Sequence, residues 1–454
     1  MTHTVHFYRS IEDSLNAVSP GLCLAKWYEV TIHLQNGHTH SCHNPATHLV
    51  PLSELAVNPS ALHNTQHKQL VRTQMLAGQK PQECSYCWNI EHTVNDPDRG
   101  IFTDRVIKSG YDDMPTVAET VAAGTVDPLP RYLEVSFSST CNFKCSYCSA
   151  EVSSAWMKEL TKHGPYPIES AMNTIKSIEH NRKMPISDRD YNPYIQAFWS
   201  WWPTVYPTLN TMRITGGEPL LSPHTGRVLA WIQANPKPNL RLGVNTNMSV
   251  SPKLIDRFIK SIKSLTDSGA VKEFTLYTSC EAQGSNAEYI RFGLRYDQWL
   301  VNCEQFLTQV PMATISIMAT YNAMSAVSYF AFLVDMKKLK TKFPNRIMID
   351  TSFLSFPKFL SIDILTEDFL VYIQQQVVYL DSMTRQGHCT EDELHQIKRL
   401  ESYFRSRLAA PLAELSMLRR DFKQFVDEHD RRRGTDFLTA FPKMQQFYDL
   451  CAGS

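Results

Sequence analysis

The chain has 454 residues, more than one average core serves, so two or three domains or one elaborated barrel are expected. Lys plus Arg and Asp plus Glu are both 45, which excludes a global basic field for nucleic acid, and a 43% hydrophobic share with 11% aromatics excludes wholesale disorder. The apolar stretches fall far short of the roughly 20 residues of a membrane span, and the first twenty residues show no apolar signal core, so a reducing cytoplasm is the expected compartment. Three blocks follow in chain order. The first, about 1–125, holds four cysteines and ends in the turn-prone run Asn95-Asp-Pro-Asp-Arg-Gly100, after which 126–130 reads as a linker. The second, about 126–361, has strand-like runs near 132–138, 211–215, 240–246, 273–280, 313–320 and 346–353, mostly separated by helix-length segments. Such a βα series predicts parallel strands with crossovers, and six units suggest an incomplete barrel. The third, 362–454, has almost no Gly and reads as helices that cover or close the barrel.

Each predicted strand carries polar residues on one face. Glu134, Ser136 and Ser138 share a side of the first, Asn245 and Asn247 of the third, Ser279 and Glu281 of the fourth. The fifth does the same with Thr314, Ser316, Thr320 and Asn322, and the sixth with Asp350 and Ser352. Parallel strands packed on both sides are usually apolar throughout, so this alternation points to a ligand-filled lumen, the alternative being a set of half-exposed antiparallel strands.

Eleven cysteines, an odd count, speak for metal or catalytic work over disulfides. Directly after the first strand of the barrel block stands Cys141-Asn-Phe-Lys-Cys145-Ser-Tyr-Cys148. A four-iron cube prefers four cysteine ligands, so three leave one iron open to a substrate or cofactor. The spacing, with aromatic Tyr147 before the last cysteine, resembles the radical S-adenosylmethionine (SAM) superfamily. A second element, Met212-Arg-Ile-Thr-Gly216-Gly217-Glu218-Pro219-Leu220, is similar to that family's glycine-rich strand for the methionine amino group. Gly216 and Gly217 would let backbone approach the ligand, and Glu218 would accept from an ammonium. The resemblance implies that the open iron binds the amino and carboxylate groups of SAM and that one electron cleaves it to methionine and a 5′-deoxyadenosyl radical, which takes hydrogen from a substrate. Asn245, Ser279, Glu281 and Arg291 are, by position after strands three and four, candidates for the ribose and carboxylate of SAM.

The second set is Cys23, Cys42, Cys84 and Cys87. Between the first two, Trp27 to Cys42 alternates around Asn36-Gly37, a hairpin signal that brings these cysteines together, and Cys84-Ser-Tyr-Cys87 adds two ligands. Four thiolates suit either a closed cluster or a structural zinc, for which His33, His38, His40 and His43 are further donors. Thirteen residues, a glycine, four residues and a cysteine after Cys23 resemble the start of the auxiliary-cluster domain called SPASM and of its one-cluster version, twitch. Its later cysteines are missing, and the block precedes the barrel where such domains commonly follow it. The resemblances together imply an α/β fold: a partial (β/α)6 TIM-like barrel (126–361), an N-terminal twitch-like Cys-rich β-hairpin domain (1–125) and a C-terminal helical region (362–454).

The cofactors implied are a SAM-binding 4Fe-4S cluster, a second, auxiliary 4Fe-4S cluster and SAM. The partners are a peptide or small-molecule substrate and an electron donor such as flavodoxin or ferredoxin, with no nucleic acid and no membrane. The rival function is a non-catalytic zinc-binding interaction module. Trp199, Trp201 and Trp202 read as core of a helix before the second strand, and Arg431-Arg432-Arg433 as a solvated helix end. Cys280 reads as a buried thiol facing the helices, and Cys303, Cys389 and Cys451 carry no assigned function.

Overall fold

Strands and helices alternate along most of the chain in the computed structural model, which describes residues 5–93, 102–112, 114–170 and 174–453. The turn-prone run from Asn95 to Gly100 lies outside the described residues. The strands are β1 (Glu29–His33), β2 (His38–His40), β3 (His48–Leu49), β4 (Tyr132–Ser136), β5 (Lys144–Cys145), β6 (Thr211–Thr215), β7 (Lys237–Asn245), β8 (Val271–Ser279), β9 (Arg291–Phe292), β10 (Ala313–Tyr321) and β11 (Ile347–Phe353). The chain divides into two compact units that interleave in sequence. The first holds 1–138, 182–216 and 237–242; the second holds 139–181, 217–236 and 243–454. No helix among the described residues is long and apolar enough to cross a membrane.

In the first unit β1 and β2 pair antiparallel, His33 opposite His38, around the Asn36-Gly37 turn. Gly37 has φ +75, and a Cβ there would meet the Tyr194 ring at 2.0 Å, so the turn needs glycine twice over. The hairpin does not stand alone. β1 also pairs in parallel with β4, and β4 with β6, which lines up Ile32, Val135 and Ile214 across three strands. These three side chains are fully buried. The helix Pro193–Val205 is N-capped by Asn192, which accepts from the Tyr194 and Ile195 N–H groups, and buries Trp201 and Trp202. Its Phe198 ring lies 5.1 Å from Phe137; Trp201 and Trp202 are core, as the pattern predicts, whereas Trp199 is half-buried. Two expectations need correction. Chain from Leu24 to Tyr28 is a helical turn and the strand starts only at Glu29. The segment 126–130, expected as a linker, is fastened by Arg72 Nη1 to the Val126 carbonyl and Asn64 Nδ2 to the Pro128 carbonyl.

In the second unit β8, β10 and β11 are parallel, with Ile317 between Thr278 and Ile349. The helix Pro252–Asp267 buries Ile255, Phe258, Ile259, Ile262 and Leu265, the 3-4 spacing of one apolar face. The helix Glu391–Ala409 begins with a capping box of Thr390 and Glu393. Glu393 also accepts from the Ile349 N–H, and Gln396 from the Thr351 N–H, so side chains satisfy backbone groups of β11. Helices Leu370–Arg385, Leu415–Arg433 and Gln445–Ala452 follow, which agrees with the helical reading of the last block. The last charged helix differs from expectation at its end. Arg431 is exposed, but the side chains of Arg432 and Arg433 are 1% and 0% exposed.

Candidate metal centres and cofactor site

The loop 141–148 is fixed on several sides. Lys144 and Cys145 form β5, which pairs antiparallel with β9, Cys145 opposite Arg291. The Ser146 N–H donates to the Ile290 carbonyl at 2.7 Å, and Trp156 Nε1 donates to the Cys145 carbonyl at 2.8 Å. The Cys141 N–H reaches Ser154 Oγ at 3.2 Å. The cysteines Cys141, Cys145 and Cys148 are half-buried, and burial pushes all three thiols up, Cys141 to about 12. Metal binding favours the thiolate, against this burial.

Beneath Cys145 sits an ion pair. Arg291 Nε donates to both Glu281 oxygens at 3.1 and 3.0 Å, and Nη2 to Oε2 at 2.5 Å. Nη1 lies 3.8 Å from Cys145 Sγ. The Tyr147 hydroxyl donates to Glu281 Oε2 at 3.1 Å, and the Arg291 guanidinium stands 5.4 Å from the Tyr147 ring centre. Tyr147, Glu281, Arg291 and Cys145 therefore come together, with Glu281 and Arg291 engaged with each other. A second guanidinium approaches from the last turn of the helix Leu415–Arg433. Arg433 donates to the Lys144 carbonyl at 2.8 Å and to both oxygens of buried Glu159 at 3.0 and 3.2 Å.

The glycine strand packs against its own chain. Gly216 has φ +130, and a Cβ there would meet Ser136 Oγ and the Ser138 carbonyl at 2.9 Å; at Gly217 it would meet the carbonyls of Thr140 and Ser139 at 2.5 and 2.7 Å. Both positions need glycine for close backbone approach within the protein. Glu218 follows, 2% exposed. Its N–H donates to the Thr140 carbonyl at 2.8 Å, while its carboxylate accepts from the Leu220 N–H at 3.0 Å, Thr246 Oγ1 at 2.7 Å and the Asn247 N–H at 2.7 Å. Burial pushes this carboxyl up to about 7 against the three donors that pull it down. Pro219 opens the short turn that Glu218 caps. Asn247 Nδ2 in turn donates to Asn142 Oδ1 at 2.8 Å, inside the cysteine loop. Asn245 Nδ2 reaches Met318 Sδ at 3.6 Å, and Ser279, half-buried, stands opposite Met318 in the β8–β10 register. Asn142, Thr246, Trp156, Glu159 and Arg433 were not singled out from sequence as site residues; only Asn142, lying inside the cysteine spacing, carried a local signal.

The polar face of β4 is satisfied from within. Ser136 Oγ donates to Gln35 Oε1 at 2.8 Å, Ser138 Oγ to Asp188 Oδ2 at 2.7 Å, and Tyr132 donates to Glu134 at 3.2 Å. These residues, expected to face a ligand, are spent on protein partners.

The other cysteine set lies in the first unit. Cys23 precedes the turn Leu24–Tyr28, Cys42 follows β2, and Cys84 and Cys87 lie at the start of the helix Ser85–Thr93. All four line one small cavity of about 20 Å³ with Lys26, Arg105 and Lys108 at its wall. Burial pushes Cys23 up, and its three fellow thiols push it further; Cys84 is raised to about 11. Each cation has a carboxylate: Lys26 pairs with Glu83, Lys108 with Glu29 at 2.7 Å and Arg105 with Glu91 at 2.7 Å. Asn44 Nδ2 stands 3.9 Å from Cys87 Sγ. The histidines face other partners. His33 and His40 approach through Nε2 at 3.3 Å, His38 meets Thr47 and the Arg182 carbonyl, and His43 pairs with Asp104 at 3.0 Å. Among the described residues no three His, Cys, Asp or Glu groups converge tightly enough for a single metal ion. Four thiols around one cavity are a donor set for either a four-iron cluster or a zinc.

No family model and no curated protein matches the chain. Among solved structures it is similar to Streptococcus suis SuiB bound to S-adenosylmethionine, at 13% identity and TM-score 0.36, over 79% of this chain and 69% of that one. SuiB alone gives 13% identity and TM-score 0.35 over 79% and 68%, and SuiB bound to its precursor peptide SuiA gives 13% and 0.35 over 80% and 70%. The functional reading therefore rests on the residues of the site.

Proposed function

We propose that this chain is a radical SAM enzyme. One observation supports the reading above the rest: the cysteine loop and Glu218 belong to a single hydrogen-bonded assembly, through Glu218 N–H to Thr140 and through Asn247 to both Glu218 and Asn142. Cys141, Cys145 and Cys148 would hold a 4Fe-4S cluster, and Glu218, Asn245 and Ser279 would bind SAM beside it, with Gly216, Gly217 and Pro219 shaping the backbone there. When bound, the cluster and SAM supply the electron and the 5′-deoxyadenosyl radical that abstracts hydrogen from a peptide or small-molecule substrate. The protein's own part is to bind and orient. Buried Glu218 offers its carboxylate to the ammonium of SAM, and Thr246 and Asn247 hold that carboxylate still. Tyr147, Glu281 and Arg291 brace the loop.

Cys23, Cys42, Cys84 and Cys87 would hold an auxiliary 4Fe-4S cluster in a twitch-like region, residues 1–125, preceding a partial (β/α)6 barrel at 126–361 and the helices of 362–454. A donor of the flavodoxin or ferredoxin type would supply the electron. The test is anaerobic reconstitution with iron and sulfide, then SAM and dithionite. Methionine and 5′-deoxyadenosine should form with wild type and be lost in Cys141→Ala/Cys145→Ala/Cys148→Ala. Cleavage retained in the triple variant, or none in iron-loaded wild type, sinks the assignment.

A further inference from the structure

Arg291 is a candidate for the cofactor by its position after β8, and its guanidinium meets Glu281 and Cys145. A guanidinium offers five N–H donors in a fixed fork. Here Nε and Nη2 are taken by Glu281, a carboxylate whose side chain is 0% exposed and which also accepts from Tyr147. That grip leaves Nη1 toward Cys145 Sγ, at 3.8 Å. The backbones of the same two residues face each other in the β5–β9 pair, so Arg291 is tied to Cys145 by main chain and side chain together. The guanidinium side chain is 7% exposed, and a charge so far out of water is weakly screened.

Hydrogen bonds and positive charge at a ligand sulfur favour the reduced, more negative state of an iron-sulfur cluster, because the added electron density is shared with the thiolates. We propose that Arg291 serves Cys145 and not SAM: held by Glu281, it is a positioning residue that fixes this sulfur and raises the reduction potential of the cluster on residues 141–148. The inference rests on the radical SAM reading of that loop. Tyr147 belongs to the same device, since its hydroxyl braces the carboxylate that aims the guanidinium.

The experiment compares reconstituted wild type with Arg291→Met/Glu281→Met, which removes the buried pair as a whole and leaves no orphaned charge, and with Glu281→Gln, which keeps the guanidinium but loosens its hold. Iron content, SAM affinity and the midpoint potential of the EPR signal that SAM perturbs are read on the same samples. Iron and SAM dissociation constant should stay within about twofold of wild type, while the midpoint moves to lower potential in the double variant and to higher potential in Glu281→Gln, which leaves the guanidinium uncompensated. An unchanged midpoint in an iron-loaded variant overturns the proposal. A tenfold or greater loss of SAM affinity with the midpoint unchanged does so as well and returns Arg291 to the cofactor. Wild type whose iron signal ignores SAM would instead overturn the reading on which the proposal rests.

Discussion

Glu218 accepts from three neutral donors, the Leu220 and Asn247 N–H groups and the Thr246 hydroxyl, while only 2% exposed. Burial without a cation among those partners is why its carboxyl is pushed up to about 7. The sign of the consequence is fixed. Below the unfolded carboxyl value, about 4.5, the group is neutral in both states; as pH rises to about 7 the unfolded chain ionises first and the native state loses stability relative to it. The loss is on the order of 3 kcal/mol across that window. Buried histidines such as His33, His48 and His429, held below their usual value, act the other way over this window, so the test is a difference: the urea midpoint of metal-free Glu218→Gln should gain on that of wild type as pH rises from about 4.5 to about 7. Parallel profiles would show that Glu218 titrates as an ordinary exposed acid. A ligand ammonium would oppose the same loss by giving the buried charge a partner, so SAM should stabilise wild type more at pH 8 than at pH 5.

The helix Leu415–Arg433 ends where Gly434 takes φ +65 and donates its N–H to the Asp430 carbonyl at 2.8 Å. No atom lies within 4 Å of a Cβ built there, so Gly434→Ala adds only left-handed strain, about 1 kcal/mol. Arg433→Ala should cost more, about 3 kcal/mol, because it takes one cation from buried Glu159 and a donor from the Lys144 carbonyl. Arg431→Ala, at an exposed pair with Glu428, should leave the urea midpoint unmoved. Equal effects of the two arginine variants would refute the inward packing of Arg433. Sequence shows the helix and its stop, since periodicity and a terminal glycine are local signals. It hides the burial of Arg433, whose partner Glu159 is 274 positions away. The same limit applies elsewhere. The Asn36-Gly37 turn announces the β1–β2 hairpin, but nothing near it announces the parallel pairing of β1 with β4 about a hundred residues on. The cysteines and the glycine strand are legible from spacing, whereas the pairing of Glu281 with Arg291, both expected to face a ligand, depends on how β9 meets β5.

At the scale of the whole chain, the units interleave in sequence while each cysteine set stays within one of them. Cys23, Cys42, Cys84 and Cys87 belong to the first unit; Cys141, Cys145 and Cys148, with Glu281, Arg291, Glu159 and Arg433, belong to the second. Each set thus has its supporting side chains inside its own unit. On the proposed reading, neither centre would need the other's ligands to assemble. Iron and sulfide analysis of reconstituted wild type should give about eight irons per chain, and the Cys141→Ala/Cys145→Ala/Cys148→Ala variant about four. Cys84→Ala/Cys87→Ala should likewise keep about four, and should keep the EPR signal that SAM perturbs. Complete loss of iron in either variant would mean that one centre is a folding requirement for the other, against the separation of their supports. Zinc in place of the four irons left in the triple variant would make the first unit's cavity a structural site and leave the radical chemistry to the second unit alone.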